Sequence, residues 1–223
     1  MSKSNNKEEL FEKTPIPKAV ATLAVPTIAA SIVMVLYNLA DTFFVGALND
    51  PISTSAVSLA APVVLAFNAV TNLFGVGSSS MMSRALGVKD YDTVKKSSAF
   101  GIYCGIFCGL LFSIFATYFK SGLLGVLGAD ASNALKTSEY LYWTVTLGAI
   151  PSILNVIMGN VFRAEGNALH ASIGVMSGCL LNIILDPIFI MPWGLNMKAA
   201  GAGCATFYFQ LCSLFIFLYC LSY

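Results

Sequence analysis

The stretch LLNIILDPIFIMPW, residues 180–193, is apolar at every position except Asn182 and Asp186. A second stretch, LYNLADTFFVG at residues 36–46, carries Asp41 in similarly apolar surroundings. A carboxylate is costly to bury in such a run and usually faces a polar interior. Each of the two aspartates is therefore a candidate functional group.

The composition of the chain indicates a membrane protein. Of its 223 residues, 57% are hydrophobic and 10% are charged, with a mean hydropathy of +0.78. Soluble domains carry about a quarter charged residues. A chain of this size could not bury so much apolar surface in water, so membrane lipid is the expected partner. The net charge of +1 argues against a nucleic-acid partner, which normally requires a basic patch.

Several segments are long and apolar enough to cross a bilayer as helices, which takes about 20 residues. The predicted spans run approximately 19–48, 52–83, 97–119, 140–162, 171–193 and 199–223. Residues 1–18 form a polar, cytoplasmic N-terminal arm. The predicted fold is an all-α membrane protein whose residues 19–223 form six transmembrane helices. On the third span, a stripe of small residues predicts close helix packing: Gly101, Gly105 and Gly109.

The distribution of Lys and Arg predicts the orientation in the membrane. The N-terminal arm and the loops after the second and fourth spans hold nine of the twelve basic residues. The other three are Lys120, Lys136 and Lys198, in the loops on the opposite side. We therefore expect a multi-pass protein of the plasma (inner) membrane with both chain ends in the cytoplasm.

The two aspartates are expected at one depth in the outer half of the membrane. Asp41 lies seven residues before Leu48, and Asp186 lies seven residues before Trp193. At 1.5 Å per residue, each is about 10 Å from the outer end of its span. Thr206 in the sixth span is about 12 Å from the same side.

Further polar side chains are expected in the same layer. Asn182 precedes Asp186 by one helical turn and shares its helix face. Tyr37 and Asn38 precede Asp41 by four and three residues, so they also lie beside it. Three different spans thus contribute oxygen-bearing side chains.

This layer predicts a cation site. Two carboxylates in low-dielectric surroundings cannot both be ionised cheaply, so the pair can take up a proton as a coupled unit. Na⁺ is the other candidate, because hard cations prefer oxygen ligands. The predicted ligands are Asp41, Asn182, Asp186 and Thr206. The six cysteines and one histidine form no metal-ligand pattern, so no other cofactor is expected.

Short motifs along the chain resemble the multidrug and toxic compound extrusion (MATE) family. They are YNLADTFFVG (37–46), MMSRALG (81–87), FRAEGN (162–167), NIILDPIFI (182–190) and GAGCAT (201–206). Their order and spacing cover the chain from about Pro15 onward. The resemblance implies an exporter of small organic, drug-like cations, driven by an inward H⁺ or Na⁺ gradient.

The resemblance also implies roles for particular residues. In the family, the first, fifth and sixth helices of the N-terminal lobe form a cation site, and the matching positions are the four predicted ligands. Tyr37 and Asn155 match polar positions that line the cavity of that lobe. Pro26 matches a kink in the first helix, whose bending is proposed to couple protonation to substrate release.

The FRAEGN motif allows two interpretations. Arg163 and Glu165 lie at the cytoplasmic end of the fourth span and could form part of an inner gate or an interlobe latch. Equally, they could form a local ion pair beside a turn at Gly166.

Family members have twelve helices in two similar lobes, whereas six spans are predicted here. We therefore expect an N-terminal lobe that pairs with a second six-helix lobe, either in the same longer chain or as a homodimer. The last span ends in FLYCLSY without a basic anchor, which favours a lobe that does not export drugs alone.

Two other functions are compatible with paired intramembrane aspartates. Distant relatives flip lipid-linked precursors or polysaccharide units, but these spans hold no Arg or Lys beyond their ends to receive an anionic head group. An intramembrane aspartyl protease would share a proton between two aspartates to activate water. Its G-x-G-D segment is not matched by the flanks LAD and ILDP, so a secondary transporter is expected rather than an enzyme.

Overall fold

The structure, a computed structural model, describes residues 14–222, and among them every regular element is helical. The helices are α1 (Ile16–Ala47), α2 (Pro51–Gly87), α3 (Tyr91–Tyr118), α4 (Lys120–Val126), α5 (Ala134–Leu141), α6 (Ala149–Ala164), α7 (Ala168–Ile190) and α8 (Ala199–Ser222). The predicted all-α class is confirmed. Most of the predicted N-terminal arm lies outside the described residues.

Several of these helices are suited to cross a membrane. By length and composition, α1, α2, α3, α7 and α8 qualify individually. The α5–α6 pair would be a further span if its bent halves are counted together. Within the described residues the chain therefore carries five such helices, or up to six.

Two of the turns between helices are set by aspartate caps. Asp50 accepts a hydrogen bond from the Ile52 backbone N–H at 3.2 Å, and Pro51 follows it at the first position of α2. Asp90 caps α3 in the same way through the Thr93 N–H at 3.1 Å. A proline at the first helical position sacrifices no hydrogen bond, and a capping carboxylate satisfies an orphan N–H.

The fourth span differs from the single segment predicted over 140–162. It begins earlier, with α5, continues as a π-helical segment over Tyr142–Leu147, and bends by 50° before α6. Ser113 of α3 donates a hydrogen bond to the Thr146 carbonyl at 2.7 Å, which satisfies a backbone group inside the irregular segment. At Gly148, a Cβ atom would lie 2.5 Å from the Thr144 carbonyl oxygen, so this break requires glycine.

The fifth span ends earlier than the predicted 171–193. Helix α7 stops at Ile190, and Trp193 lies in the following loop, so the depth counted from Trp193 needs correction. Asp186 is about 6 Å from the end of α7, and Asp41 is about 9 Å from the end of α1. Two backbone hydrogen bonds, each 2.8 Å long, attach this loop to the end of α7. The Leu195 N–H donates to the Ile188 carbonyl, and the Met197 N–H donates to the Phe189 carbonyl.

The helices pack around α6, which contacts α2, α3, α7 and α8. The glycine stripe of α3 faces this core, because a Cβ at Gly105 would meet the Ile157 side chain of α6. Helix α1 is peripheral: it packs mainly on α7 and buries only Ala30 and Val45. The α1–α7 contact therefore carries most of the attachment of α1.

Replacing Gly201 with alanine should destabilise the fold. Its Cβ would lie 2.7 Å from the Phe189 carbonyl oxygen, and only backbone could move to make room. We expect a loss of about 1–3 kcal/mol, typical of overpacking. Gly77→Ala is the matched control, because a Cβ there meets nothing within 4 Å. Thermal unfolding in detergent should separate the two variants, and equal midpoints would contradict the close α7–α8 approach.

Candidate cation site

The two predicted aspartates come together between α1 and α7. Asp186 is fully buried, at 0% exposure, while Asp41 is half-buried. Their carboxyl groups are close enough to interact electrostatically. The packing of α1 on α7 brings the two segments that carry these aspartates together.

The site contains polar atoms that are buried without a hydrogen-bond partner. They are Oδ1 of Asp41, both side-chain polar atoms of Asn182 and both carboxyl oxygens of Asp186. Such groups are normally satisfied in protein interiors, and an unsatisfied one costs about 1–3 kcal/mol or more when charged. A proton on the carboxyl pair or a cation among these oxygens would remove that cost.

Hydroxyl groups surround the carboxyl pair. The side chains of Tyr37 and Thr206 lie close together, and Tyr37 lies in electrostatic range of both Asp41 and Asp186. The ring of Tyr37 also packs against Phe209, with ring centroids 5.5 Å apart. The predicted ligands from α1, α7 and α8 are thus found in one region of the structure.

The sequence reasoning missed Tyr140. Its hydroxyl group interacts electrostatically with both Asp41 and Asp186, although it belongs to α5. Tyr140 is the first residue of the predicted fourth span, and no pattern of polar residues around it in the sequence indicates a site. Only the irregular path of α5 through the fold brings it to the site.

A second polar pair lies on α6 and α8. The Asn155 amide donates to Gln210 Oε1 at 2.5 Å, and Asn155 Oδ1 is buried without a partner. Gln210 follows Thr206 by one turn on the same face of α8. Gln210 was not predicted either, although a glutamine within an apolar span indicates a polar contact between helices.

Two of the predicted cavity or coupling candidates lie away from the carboxyl pair. The side chain of Asn38 is exposed, and its amide donates to the Met34 carbonyl at 3.0 Å. Helix α1 continues through Pro26 without interruption, about 22 Å along the helix from Asp41. Their roles stay predictions.

The FRAEGN motif forms the turn between α6 and α7. Gly166 has φ +80°, and its N–H donates to the Arg163 carbonyl at 3.0 Å. The Asn167 N–H donates to the Phe162 carbonyl at 2.8 Å, which completes a glycine-terminated helix end. Arg163 is half-buried, with its Nε buried and unpartnered among the described residues. A turn role for Gly166 is therefore observed, while a gate role for Arg163 and Glu165 stays a prediction.

The donor set fits a small hard cation. It consists of carboxylate, amide and hydroxyl oxygens, which suit Na⁺ or a proton rather than a transition metal. Among residues 14–221, no group of three or more His, Cys, Asp or Glu side chains is placed to bind a metal ion.

Comparison with known proteins identifies the family. The MatE family model matches residues 26–188, which include Asp41, Asn182 and Asp186. The chain belongs to the MatE family. This result confirms the resemblance to MATE transporters and places the chain in a family of transporters rather than of proteases.

Individual MATE relatives agree in sequence and in fold. The chain is 38% identical over 195 residues to the multidrug export protein MepA of Staphylococcus aureus, covering 87% of this chain and 43% of MepA. It superposes on a MATE protein solved in complex with MaD3S with a TM-score of 0.89 at 29% identity, covering 96% of this chain and 47% of that one.

A third relative is described as having a different function. It is a MOP superfamily transporter from Pyrococcus furiosus, whose reversed binding-pocket polarity is said to suggest that difference. The match has a TM-score of 0.85 at 30% identity and covers 94% of this chain and 45% of that one. The chain thus spans less than half the length of these relatives.

The Asn155–Gln210 hydrogen bond can be tested by a double-mutant cycle. Gln210→Leu should destabilise the lobe by about 1–3 kcal/mol, because it leaves the buried Asn155 amide unpaired. Adding Asn155→Leu should recover most of that loss. Thermal unfolding of the single and double variants gives the coupling, with Asn72→Ala as an exposed control. Strictly additive effects would contradict the bond.

Proposed function

We propose that this chain is a lobe of a cation-coupled antiporter that exports small organic cations. The observation that carries the proposal is the pair of buried, unpartnered carboxyl oxygens on Asp186, facing Asp41 across the α1–α7 contact. Family membership and the export function in the name of MepA support a transport role.

The coupling cation acts by neutralising the carboxyl pair. A proton requires one carboxylate, whereas Na⁺ requires several oxygens, for which Asp41, Asn182, Asp186 and Thr206 are the proposed ligands. In either case, the bound cation removes the repulsion between two carboxylates in a low-dielectric interior. The α1–α7 contact is then tighter with the cation than without it.

Helix α1 transmits this change to the substrate cavity. It has few contacts apart from α7, so a change at the Asp41–Asp186 pair can alter its position at low cost. Pro26 leaves the Thr22 carbonyl without its usual helical donor, which makes bending near this residue less costly. Tyr37, Asn38 and Asn155 are the proposed cavity residues.

The charge of the site favours cationic cargo. Within the described residues, the two ionisable side chains at the site's centre are acidic, and the nearest lysines lie at the helix ends. An anionic lipid head group would lack a basic partner at this depth. Flipping of a lipid-linked precursor is the second candidate, because a different function is suggested for the relative from Pyrococcus furiosus, which shares the fold.

A second six-helix lobe is the proposed partner. The relatives are about twice as long as the part of them that this chain covers. Because six spans are an even number, a following lobe would enter the membrane in the same orientation, as a parallel repeat. A second copy of this chain could take the same place as a homodimer. Both chain ends are proposed to be cytoplasmic.

Neutralising either aspartate should abolish cation binding without preventing folding. We expect that Asp41→Asn and Asp186→Asn each lose Na⁺ binding, measured with radioactive sodium on the purified chain in nanodiscs. In a complete transporter that contains this lobe, the same variants should lose efflux of a fluorescent organic cation from vesicles with an imposed gradient. Asp92→Asn, in an exposed ion pair with Lys96, is the matched control. If Na⁺ binding persists in either variant, the aspartate pair has only a structural role.

The two candidate coupling ions can be separated with the neutral ligands. Asn182→Ala and Thr206→Val should weaken Na⁺-dependent transport or binding more than proton-dependent activity, because only Na⁺ needs several oxygens. The readout is Na⁺ binding to the purified chain, and cation-stimulated transport at matched Na⁺ and H⁺ gradients by a complete transporter that contains this lobe. If both variants behave as the unmodified chain in both gradients, the four-ligand site is wrong.

The lobe alone should not complete transport. We expect no gradient-driven efflux from vesicles that contain only the 223-residue chain. Efflux in that experiment would contradict the need for a different second lobe, and chemical cross-linking would then test whether a homodimer carries it.

A further inference from the structure

Three separate parts of the chain meet at one end of the helix bundle, around Asp50. Lys136 of α5 contacts Asp50 Oδ2 at 2.6 Å, and Lys198, just before α8, approaches the same oxygen at 3.4 Å. Ser53 donates to this carboxylate at 3.0 Å, and the Asp50 side chain is 18% exposed. We name these three charged residues, Asp50, Lys136 and Lys198, the Asp50 cluster.

The Asp50 cluster is intact at neutral pH. The hydrogen bond from Lys136, with smaller contributions from Ser53 and Lys198, holds the pKa of the Asp50 carboxyl below its usual range. A carboxyl with a lowered pKa stabilises the fold fully above its unfolded pKa of about 3.9. The stabilisation is lost only as the pH falls below that value toward the folded-state pKa.

Each member of the cluster adjoins a helix that carries a residue of the candidate cation site. Lys136 precedes Tyr140 by one turn in α5, and Lys198 precedes Thr206 by eight residues. Asp50 itself follows Asp41 by nine residues, at the turn after α1. The cluster therefore ties together the ends of α1, α5 and α8.

Side-chain packing between α5 and α8 is incomplete at this end of the bundle. Deeper in the lobe the helices touch, since a Cβ at Gly203 of α8 would lie 3.1 Å from the Tyr140 carbonyl oxygen of α5. Beside this contact, near Lys136 and Lys198, lies a cavity of about 460 Å³ that Trp143 also lines. Glu139 also lines this cavity, and its side chain is exposed. Within this region, the shared contact of both lysines with Asp50 bridges the gap.

We propose that Asp50 is a positioning residue for the cation site: by bridging Lys136 and Lys198, it holds α5 and α8 together and so keeps Tyr140 and Thr206 against the carboxyl pair. This inference rests on the proposed function, because it gives the cluster a role in cation affinity. Without Asp50, two lysines face each other across a polar cavity and repel. The cavity between α5 and α8 then widens.

Trp143 reports directly on this opening. The chain has two tryptophans, so Trp193→Phe leaves Trp143 as the single fluorophore beside the cavity. In that background, with the purified chain in nanodiscs, Asp50→Asn should increase acrylamide quenching of Trp143. It should also weaken Na⁺ binding on the order of tenfold, about the loss of one charge-assisted hydrogen bond.

A conservative substitution separates bridging from other effects. Asp50→Glu keeps a carboxylate between the two lysines and at the cap of α2, so quenching and Na⁺ affinity should stay closer to the starting values than in Asp50→Asn. Lys198→Met should have a smaller effect than Asp50→Asn, because its contact is longer and Lys198 is 44% exposed. Asp92→Asn is the matched control, since it breaks a surface pair with Lys96 in which both side chains are more than 70% exposed.

The outcomes distinguish this inference from the proposed function. Quenching and Na⁺ affinity in Asp50→Asn equal to those of Asp92→Asn would overturn the positioning role. If Asp50→Asn does not fold, Lys198→Met must still increase quenching, and an unchanged value overturns the inference. Absent Na⁺ binding, or binding that survives Asp186→Asn, counts against the proposed sodium site, and the quenching comparison then decides the role of Asp50 by itself.

Discussion

The contact between α1 and α7 encloses two carboxyl groups in an apolar interior. Asp186 is fully buried with neither oxygen hydrogen-bonded, and Asp41 lies opposite it with one buried, unpartnered oxygen. A charged carboxylate in such surroundings is strongly destabilised unless a proton or a cation balances it. If the proposed cation site is occupied as we propose, the stability of this contact is linked to cation binding.

The arrangement of the other helices gives this linkage a mechanical consequence. Helix α6 lies at the centre of the lobe and packs against four neighbours, so its position is set by many side chains. Helix α1 is attached mainly through α7, and most of its apolar surface is exposed. A change at the carboxyl pair thus acts on the least constrained long helix. The same exposed surface would suit lipid or a second lobe.

The site is assembled from regular and irregular parts of the chain. Asp41, Asn182 and Thr206 lie on continuous helices, whereas Tyr140 reaches the carboxyl pair from the short helix before the π-helical segment. Gly148 permits the following bend, and Ser113 satisfies a carbonyl within the irregular segment. The bend lets one span contribute Tyr140 to the carboxyl pair and Asn155 to a separate contact with Gln210.

The sequence by itself determined the helical class and the meeting of Asp41, Asp186 and Thr206, because hydropathy defines spans and an isolated carboxylate within one must find polar neighbours. Counting along helices also identified Asn182, since residues one turn apart share a face. The roles of these residues in binding a cation stay a prediction. Only the tertiary structure decided where α7 ends and how the fourth span breaks. It also decided that Tyr140 lies near Asp41 and Asp186, and that Asp50 contacts two lysines from distant segments. Those features depend on contacts between helices, such as the Ser113–Thr146 bond and the shared lysines of Asp50, which no local pattern encodes.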